Sequence, residues 1–212
     1  MAQGSLNSLK LYGVGAVDSG QETSPAEGTQ LVRYRALAAI VAPSTYHAPK
    51  LDEGEMENYL RIVDEVHAHS AVLPAPPGTV FRSMATLTGW LELHYFTLTE
   101  TLSSVEGHSA ARVSVEGRPV EQEGEAGKSF SALAAESLRL LRAHAGATVN
   151  LPADDADADD GVVVRASFLI DTERWPAFEE AVAAEGRRQP ALDFRVTGPW
   201  PPYDFVRMQF GT

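Results

Sequence analysis

Histidines are the first residues to test for chemistry, and the 212-residue chain has six: His47, His67, His69, His94, His108 and His144. Only His67 and His69 are close in sequence. On a helix, positions i and i+2 point to different faces, so this pair chelates a metal only where a helix ends. The expected reading is a helix-end surface pair and no metal. His94 falls on the apolar side of a helical pattern and reads as a semi-buried, satisfied histidine. Asp155, Asp157 and Asp159 match the opening of a calcium loop, but Asp160 stands where glycine is needed and Ala166 where the closing glutamate is needed. A solvated acidic turn over 154–160 is the favoured reading. Gly13-Val14-Gly15 lacks the further glycine and the following helix of a dinucleotide fingerprint. No nucleophile elbow, phosphate loop or zinc-protease motif occurs. The chain has no cysteine, which excludes disulfides, thiolate zinc sites, iron–sulfur clusters and a cysteine nucleophile. The residues therefore predict no catalytic site, no cofactor and no metal.

The unusual segment is Thr197-Gly198-Pro199-Trp200-Pro201-Pro202-Tyr203. Proline fixes φ and removes donors, so this stretch cannot pair as an ordinary central strand. It should run extended and present Trp200 and Tyr203 at little entropic cost. Two readings stay open. The favoured one is an internal strap whose rings pack on the core of the C-terminal domain; the other is an aromatic docking surface.

The elements that carry these residues can be placed coarsely. Residues 9–14 read as a first strand and 31–34 as a second, followed by an apolar run ending at Pro43. Asp52 with Glu55 makes a helix start, and Met56, Tyr59, Leu60, Val63, Val66 and His67 recur at helical spacing. Residues 78–81 lead into a strand. One helix is predicted over about 83–105, with Leu87, Leu91, His94 or Tyr95, Leu98, Leu102 and Val105 as its buried stripe. Trp90, Leu93 and Phe96 thicken that stripe and read first as core, second as partner contacts. Residues 111–115 form a strand. The order resembles a ferredoxin-like unit with one connection altered.

Pro, Gly and Glu dominate 119–127, which predicts a linker. The α+β reading is therefore two domains: a ferredoxin-like domain over 1–118 and a smaller α+β domain over 128–212. The latter reads as a helix from Phe130 to Arg142, a strand over 162–170, a helix with Trp175, Phe178 and Val182 that stops at Gly186, and a strand at Leu192–Val196.

Composition narrows the partners. With 17 Lys and Arg against 29 Asp and Glu, the net charge is −12 and the sequence pI about 4.9. Nucleic acid and anionic membranes both need clustered basic residues, so neither is expected as a partner. The apolar runs, such as 37–42, fall far short of the ~20 residues that cross a bilayer, and the N-terminus lacks the plan of a signal peptide. A cytoplasmic address is expected.

TGPWPPYDFV at 197–206, preceded by LDFRV, is similar to the C-terminal signature of the gas vesicle protein F/L family. Other blocks agree in order: LKLYGVG at 9–15, LVRYRALAAIVAP at 31–43, LDEGEMENYLRIVDEV at 51–66 and VLPAPPGTVF at 72–81. Pro76-Pro77 stands where the family has Arg-Phe, and the connection around 106–150 is short, as in a compact or divergent member. The resemblance implies a two-domain α+β protein that takes part in building gas vesicles, without catalysis. It implies a minor shell-associated or assembly component whose partners are the small, apolar major shell protein and other accessory vesicle proteins. Candidate contacts are Trp90, Leu93, Phe96, Trp200 and Tyr203. The alternative is a small-molecule-binding or enzymatic module on a ferredoxin-like scaffold, with His94 or His67 beside a carboxylate in a closed pocket.

Overall fold

The computed structural model describes residues 8–17, 26–46, 51–117, 126–152 and 162–208, with only the helical backbone for 126–129. It is an α+β protein of two compact units. One comprises the chain up to Glu106 together with Pro201 onward; the other is Gly107–Trp200.

The first unit is built on an antiparallel sheet with order β2 (Gln30–Tyr34), β3 (Leu37–Ser44), β1 (Ser8–Ala16), β4 (Val72–Pro74), and β5 (Val80–Phe81) also pairs with β1. Counting strands within the unit, 2-3-1-4 is the order of a ferredoxin-like sheet. The altered connection is the first one, whose described part, 26–29, is a turn and not a helix. Residues 37–41 of β3 are all buried, as in a strand covered on both faces. Tyr12, Ile40 and Val72 pack with Tyr59, Ile62, Val63 and Val66 of α1 (Glu53–His67). Residues of the opposite parity, such as Leu11, Leu37 and Val41, face the side from which α2 (Met84–Leu93) and α3 (Tyr95–Val105) cover the sheet. Pro43 does not end β3: it pairs with Leu9, but β2 reaches only as far as Val41, so the missing N–H faces no neighbour strand.

The α1 start follows the sequence. Asp52 accepts from the Glu55 N–H at 2.9 Å, satisfying one of the helix's orphan donors. The buried stripe differs by one residue, with Ile62 inside and Leu60 41% exposed. The single helix expected over 83–105 is two helices. The break is at His94, with φ −100° and ψ 9°, where His-Tyr-Phe-Thr places four weak helix formers in a row.

The second unit has the full βαββαβ plan. In chain order it runs β6 (His108–Gly117), α4 (Ala126–Leu141), β7 (Ala147–Leu151), β8 (Val162–Asp171), α5 (Trp175–Arg188) and β9 (Leu192–Trp200). The antiparallel sheet order is β7-β8-β6-β9, again 2-3-1-4 within the unit. One face carries Ala111, Val113, Val115, Ala166, Phe168, Ile170 and Leu192 into a core closed by Ala134, Leu138 and Leu141 of α4 and Phe178 and Val182 of α5.

The division differs from the expected boundary at 119–127. The strand placed at 111–115 is the longer β6, a central strand of the second sheet, paired with both β8 and β9. Of the expected linker, 119–125 lies outside the described residues and 126–127 opens α4. Glu, Gly and Pro content alone does not distinguish a connection within one unit from one between two. Strand β7 was not legible, and α5 runs two residues past Gly186.

An ion pair ties α5 to itself and to α4. The Arg188 Nε donates to both Glu185 carboxylate oxygens at 3.1 Å, and its Nη2 donates to Glu185 at 2.6 Å and to Ser137 of α4 at 3.3 Å. These hydrogen bonds hold the Glu185 carboxyl below its usual range, against burial that pushes it up. A depressed folded-state pKa contributes stability above the unfolded pKa, and that contribution disappears as pH falls through the folded one. Glu185→Gln is therefore expected to be less stable than wild type at neutral pH and equal to it in acid. Urea midpoints measured at descending pH check this; a gap that does not close in acid contradicts it.

Candidate interaction surface

The bend between α2 and α3 presents Leu93 and Phe96 to solvent, at 79% and 78% exposure. They flank the break, Leu93 as the last residue of α2 and Phe96 in the first turn of α3. Phe96 is supported, through Tyr95, by the hairpin that joins β2 and β3. Arg35 turns that hairpin with a φ of 53°. Its guanidinium lies over the rings of Tyr34 at 5.4 Å and Tyr95 at 5.2 Å. Tyr95 meets Tyr34 edge-on at 6.1 Å and Phe96 edge-on at 5.6 Å. Phe96 thus rests on an aromatic and cationic stack, each contact of which is worth about 0.5–1 kcal/mol. Met84, at the start of α2, is 47% exposed, and Leu60 and Leu51 add exposed apolar surface to the same unit.

The expected trio therefore separates. Trp90 is core, 8% exposed, its ring 5.6 Å from Phe81 and 5.3 Å from His94. Leu93 and Phe96 are not core. Sequence reasoning missed the Tyr34–Arg35–Tyr95 stack; the two-residue gap between two apolar strands at Arg35-Ala36 was the signal that a tight hairpin placed it there.

The C-terminal signature divides between the units. Thr197 to Trp200 close β9 at the edge of the second sheet. Gly198 has a φ of 132° and is joined to Pro199 by a cis peptide. A Cβ at Gly198 would lie 2.7 Å from both the Ala110 carbonyl oxygen and Cη2 of Trp175. Trp200 is 39% exposed, and its indole N–H donates to Thr197 Oγ1 at 3.2 Å. Pro201 and Pro202 are buried. Tyr203 packs against the first unit's core, 6.3 Å from the Tyr59 ring. The strap was expected to place both rings on the core of the C-terminal domain; Tyr203 instead belongs to the N-terminal core, because the chain rejoins that unit after Trp200.

A groove of about 230 Å³ in the first unit is lined by Trp90, His94, Thr97 and Thr101 from the helices, Leu73 from β4, and Val206–Met208 from the C-terminal segment. This lining contains no carboxylate, so His94 has no acid partner there for proton transfer. His67 is half-buried, which lowers its pKa, whereas His69 is exposed and its Nδ1 lies 2.9 Å from the Glu65 carbonyl. The two rings do not converge. Among the described residues no group of three His, Asp or Glu side chains could hold a metal ion. The acidic run 154–160 lies outside the described residues. Gly13 sits inside β1, where a Cβ would meet the Leu73 carbonyl at 2.8 Å, so its role is close strand packing. No described helix is long and apolar enough to cross a membrane.

Comparison with known proteins agrees with these features. The family described as gas vesicle synthesis protein GvpL/GvpF matches residues 9–137 and 116–207. Gas vesicle protein F1 of Halobacterium salinarum is 26% identical over 190 residues, covering 88% of this chain and 84% of that protein. Gas vesicle protein F of Haloferax mediterranei is 27% identical over 191 residues, covering 88% and 85%. The crystal structure of GvpF from Anabaena sp. PCC7120 superposes with a TM-score of 0.74 at 16% identity, over 96% of this chain and 100% of that one. GvpF from Microcystis aeruginosa gives 0.71 at 14% identity, over 95% and 99%. The match along both units, carried at its C-terminal end by the signature that closes β9, makes this chain a member of the gas vesicle GvpL/GvpF family, with a role in gas vesicle assembly.

Proposed function

We propose that the protein is a minor, shell-associated assembly factor that binds the small apolar major shell protein and limits its aggregation while a vesicle nucleates, acting in the cytoplasm and without catalysis. The observation that carries this reading is the exposed Leu93–Phe96 pair on a braced bend. Burying a Leu and a Phe contributes about 1.5–3 kcal/mol each, and a rigid mount lowers the ordering cost of binding. Trp200 is a second, smaller apolar contact on the other unit. Unassembled apolar strands pair with one another through their open edges. A carrier with a net charge of −12 keeps such complexes apart by like-charge repulsion.

The test is to dilute denatured major shell protein into buffer with and without an equimolar amount of this protein. Light scattering is expected to fall, and the two proteins are expected to elute together. Unchanged scattering with separate elution, under conditions where a GvpF relative suppresses aggregation, sinks the proposal.

A further inference from the structure

The sheets expose edges that differ in how they are guarded. Natural edge strands carry charges or prolines, or are very short, because a bare edge templates pairing with another chain. In the first unit, β2 carries Arg33, β4 has three residues with Pro74, and β5 has two. In the second, β9 carries Asp193, Arg195 and Pro199. β7, Ala-Thr-Val-Asn-Leu, has neither charge nor proline. It pairs with β8 along its whole length, and among the described residues no strand pairs with its other side. A shallow open groove of about 410 Å³ runs there, lined by Arg142, Ala145, Gly146, Ala147, Thr148 and Asn150.

From these features we infer that β7 is a docking edge for a second copy of this chain, paired antiparallel about a two-fold axis at Val149. Strand addition to a bare edge supplies main-chain hydrogen bonds, and the alternate side chains decide which strand fits. In a two-fold antiparallel pairing centred on Val149, Val149 opposes its own copy, Ala147 opposes Leu151, and Thr148 opposes Asn150. Apolar residues meet apolar residues on one face, and uncharged polar residues meet on the other. Ala147, Val149 and Leu151 share a face with Leu169, Ser167 and Arg165, their partners on β8, and Thr148 and Asn150 share the helix-covered face with Phe168 and Ala166. A one-residue slip sets Thr148 against Val149 and turns one copy over, losing this match. A two-residue slip shortens the pairing. Arg142 does not block the edge, because its Nη2 donates to Asn150 Oδ1 at 3.4 Å, on the helix-covered face. The product is a continuous eight-stranded antiparallel sheet with α4 and α5 of both copies on one face. A closed isologous contact of this kind stops at two copies. Five paired residues bury little area, so the dimer is weak and forms at roughly micromolar concentration or above.

Sedimentation velocity on the full chain, from low to high micromolar concentration, reads the equilibrium. A concentration-dependent dimer is expected, and Val149→Lys, which sets two like charges face to face on the axis, should raise its dissociation constant about tenfold or more. The natural chain has no cysteine, so Val149→Cys places a lone thiol on the axis. It should form an inter-chain disulfide under mild oxidation, whereas Thr148→Cys, which opposes Asn150 and lies diagonally about 7–8 Å from its own copy, should not. The inference is overturned by a chain that stays monomeric throughout. It is equally overturned by a dimer that Val149→Lys leaves unchanged, or by equal cross-linking at 148 and 149.

Discussion

Gly198→Ala is expected to lower the stability of the protein by about 2–6 kcal/mol, the largest loss expected from a methyl group added at any described glycine. Two costs add. The backbone at Gly198 has a φ of 132°, a region that residues with a Cβ adopt only at a cost of about 1–3 kcal/mol. The new Cβ would also stand 2.7 Å from the Ala110 carbonyl oxygen on β6 and 2.7 Å from the Trp175 ring at the start of α5, and overpacking of this kind costs about 1–3 kcal/mol. The carbonyl is backbone in the central strand and cannot move aside cheaply. The ring can be made smaller. In a Trp175→Leu background the same substitution should therefore cost less, with the backbone part remaining, and the cycle of four proteins isolates the ring contact. Urea unfolding of all four checks this. A loss under about 0.5 kcal/mol for Gly198→Ala would show that Gly198 is not held in this conformation. The result matters for the family signature. It would give the glycine beside the cis Gly198–Pro199 bond a physical reason: the chain must pass β6 and Trp175 at close range before it leaves the second sheet.

How much of this was legible in the residues depends on whether a signal is local. The Asp52 cap, the stripes of α1 and α3 and the strong strand β8 are local patterns, and each is found within a few residues of its expected place. The partition of the chain is not local. Residues 119–127 look like a linker because their Pro, Gly and Glu content does not say whether the elements on either side belong to one unit or to two. Nothing within β6 says whether its partners lie before or after it; Val113 and Val115 pack equally well on either sheet until β8 and β9 are in view. Tyr203 raises the same difficulty in reverse, since its position in the chain does not tell which core receives it. β7 was missed although Ala-Thr-Val-Asn-Leu alternates apolar and polar residues, because five residues of modest hydrophobicity between a helix and an acidic run give only a weak strand signal.

The Leu93–Phe96 bend shows where a helical wheel fails. The wheel assumes one straight axis, and on that axis both side chains border the buried stripe. The break at His94 turns α3 relative to α2, so Trp90 stays inside while Leu93 and Phe96 point to solvent. Leu93→Asp with Phe96→Asp is accordingly expected to cost no more than about 1 kcal/mol of stability, the worth of the lost Phe96–Tyr95 contact. The same pair of changes should weaken binding to the apolar shell protein by about 3–5 kcal/mol if that contact is where the partner sits, because two apolar anchors are lost and two charges would need to be desolvated. That is a loss of 100-fold or more in affinity, roughly. A Trp90 substitution cannot serve as this test, since Trp90→Ala opens the core and costs about 3–5 kcal/mol of stability. The decisive comparison is between the double Asp variant and a control bearing two Asp residues at exposed polar positions of α3, Ser103→Asp with Ser104→Asp, which adds the same charge. If both variants lose binding equally, charge on the acidic surface is responsible and the bend is not the contact. If the control binds as wild type does and the Leu93–Phe96 variant no longer suppresses aggregation of the shell protein, the braced apolar bend is the feature through which the protein meets its partner.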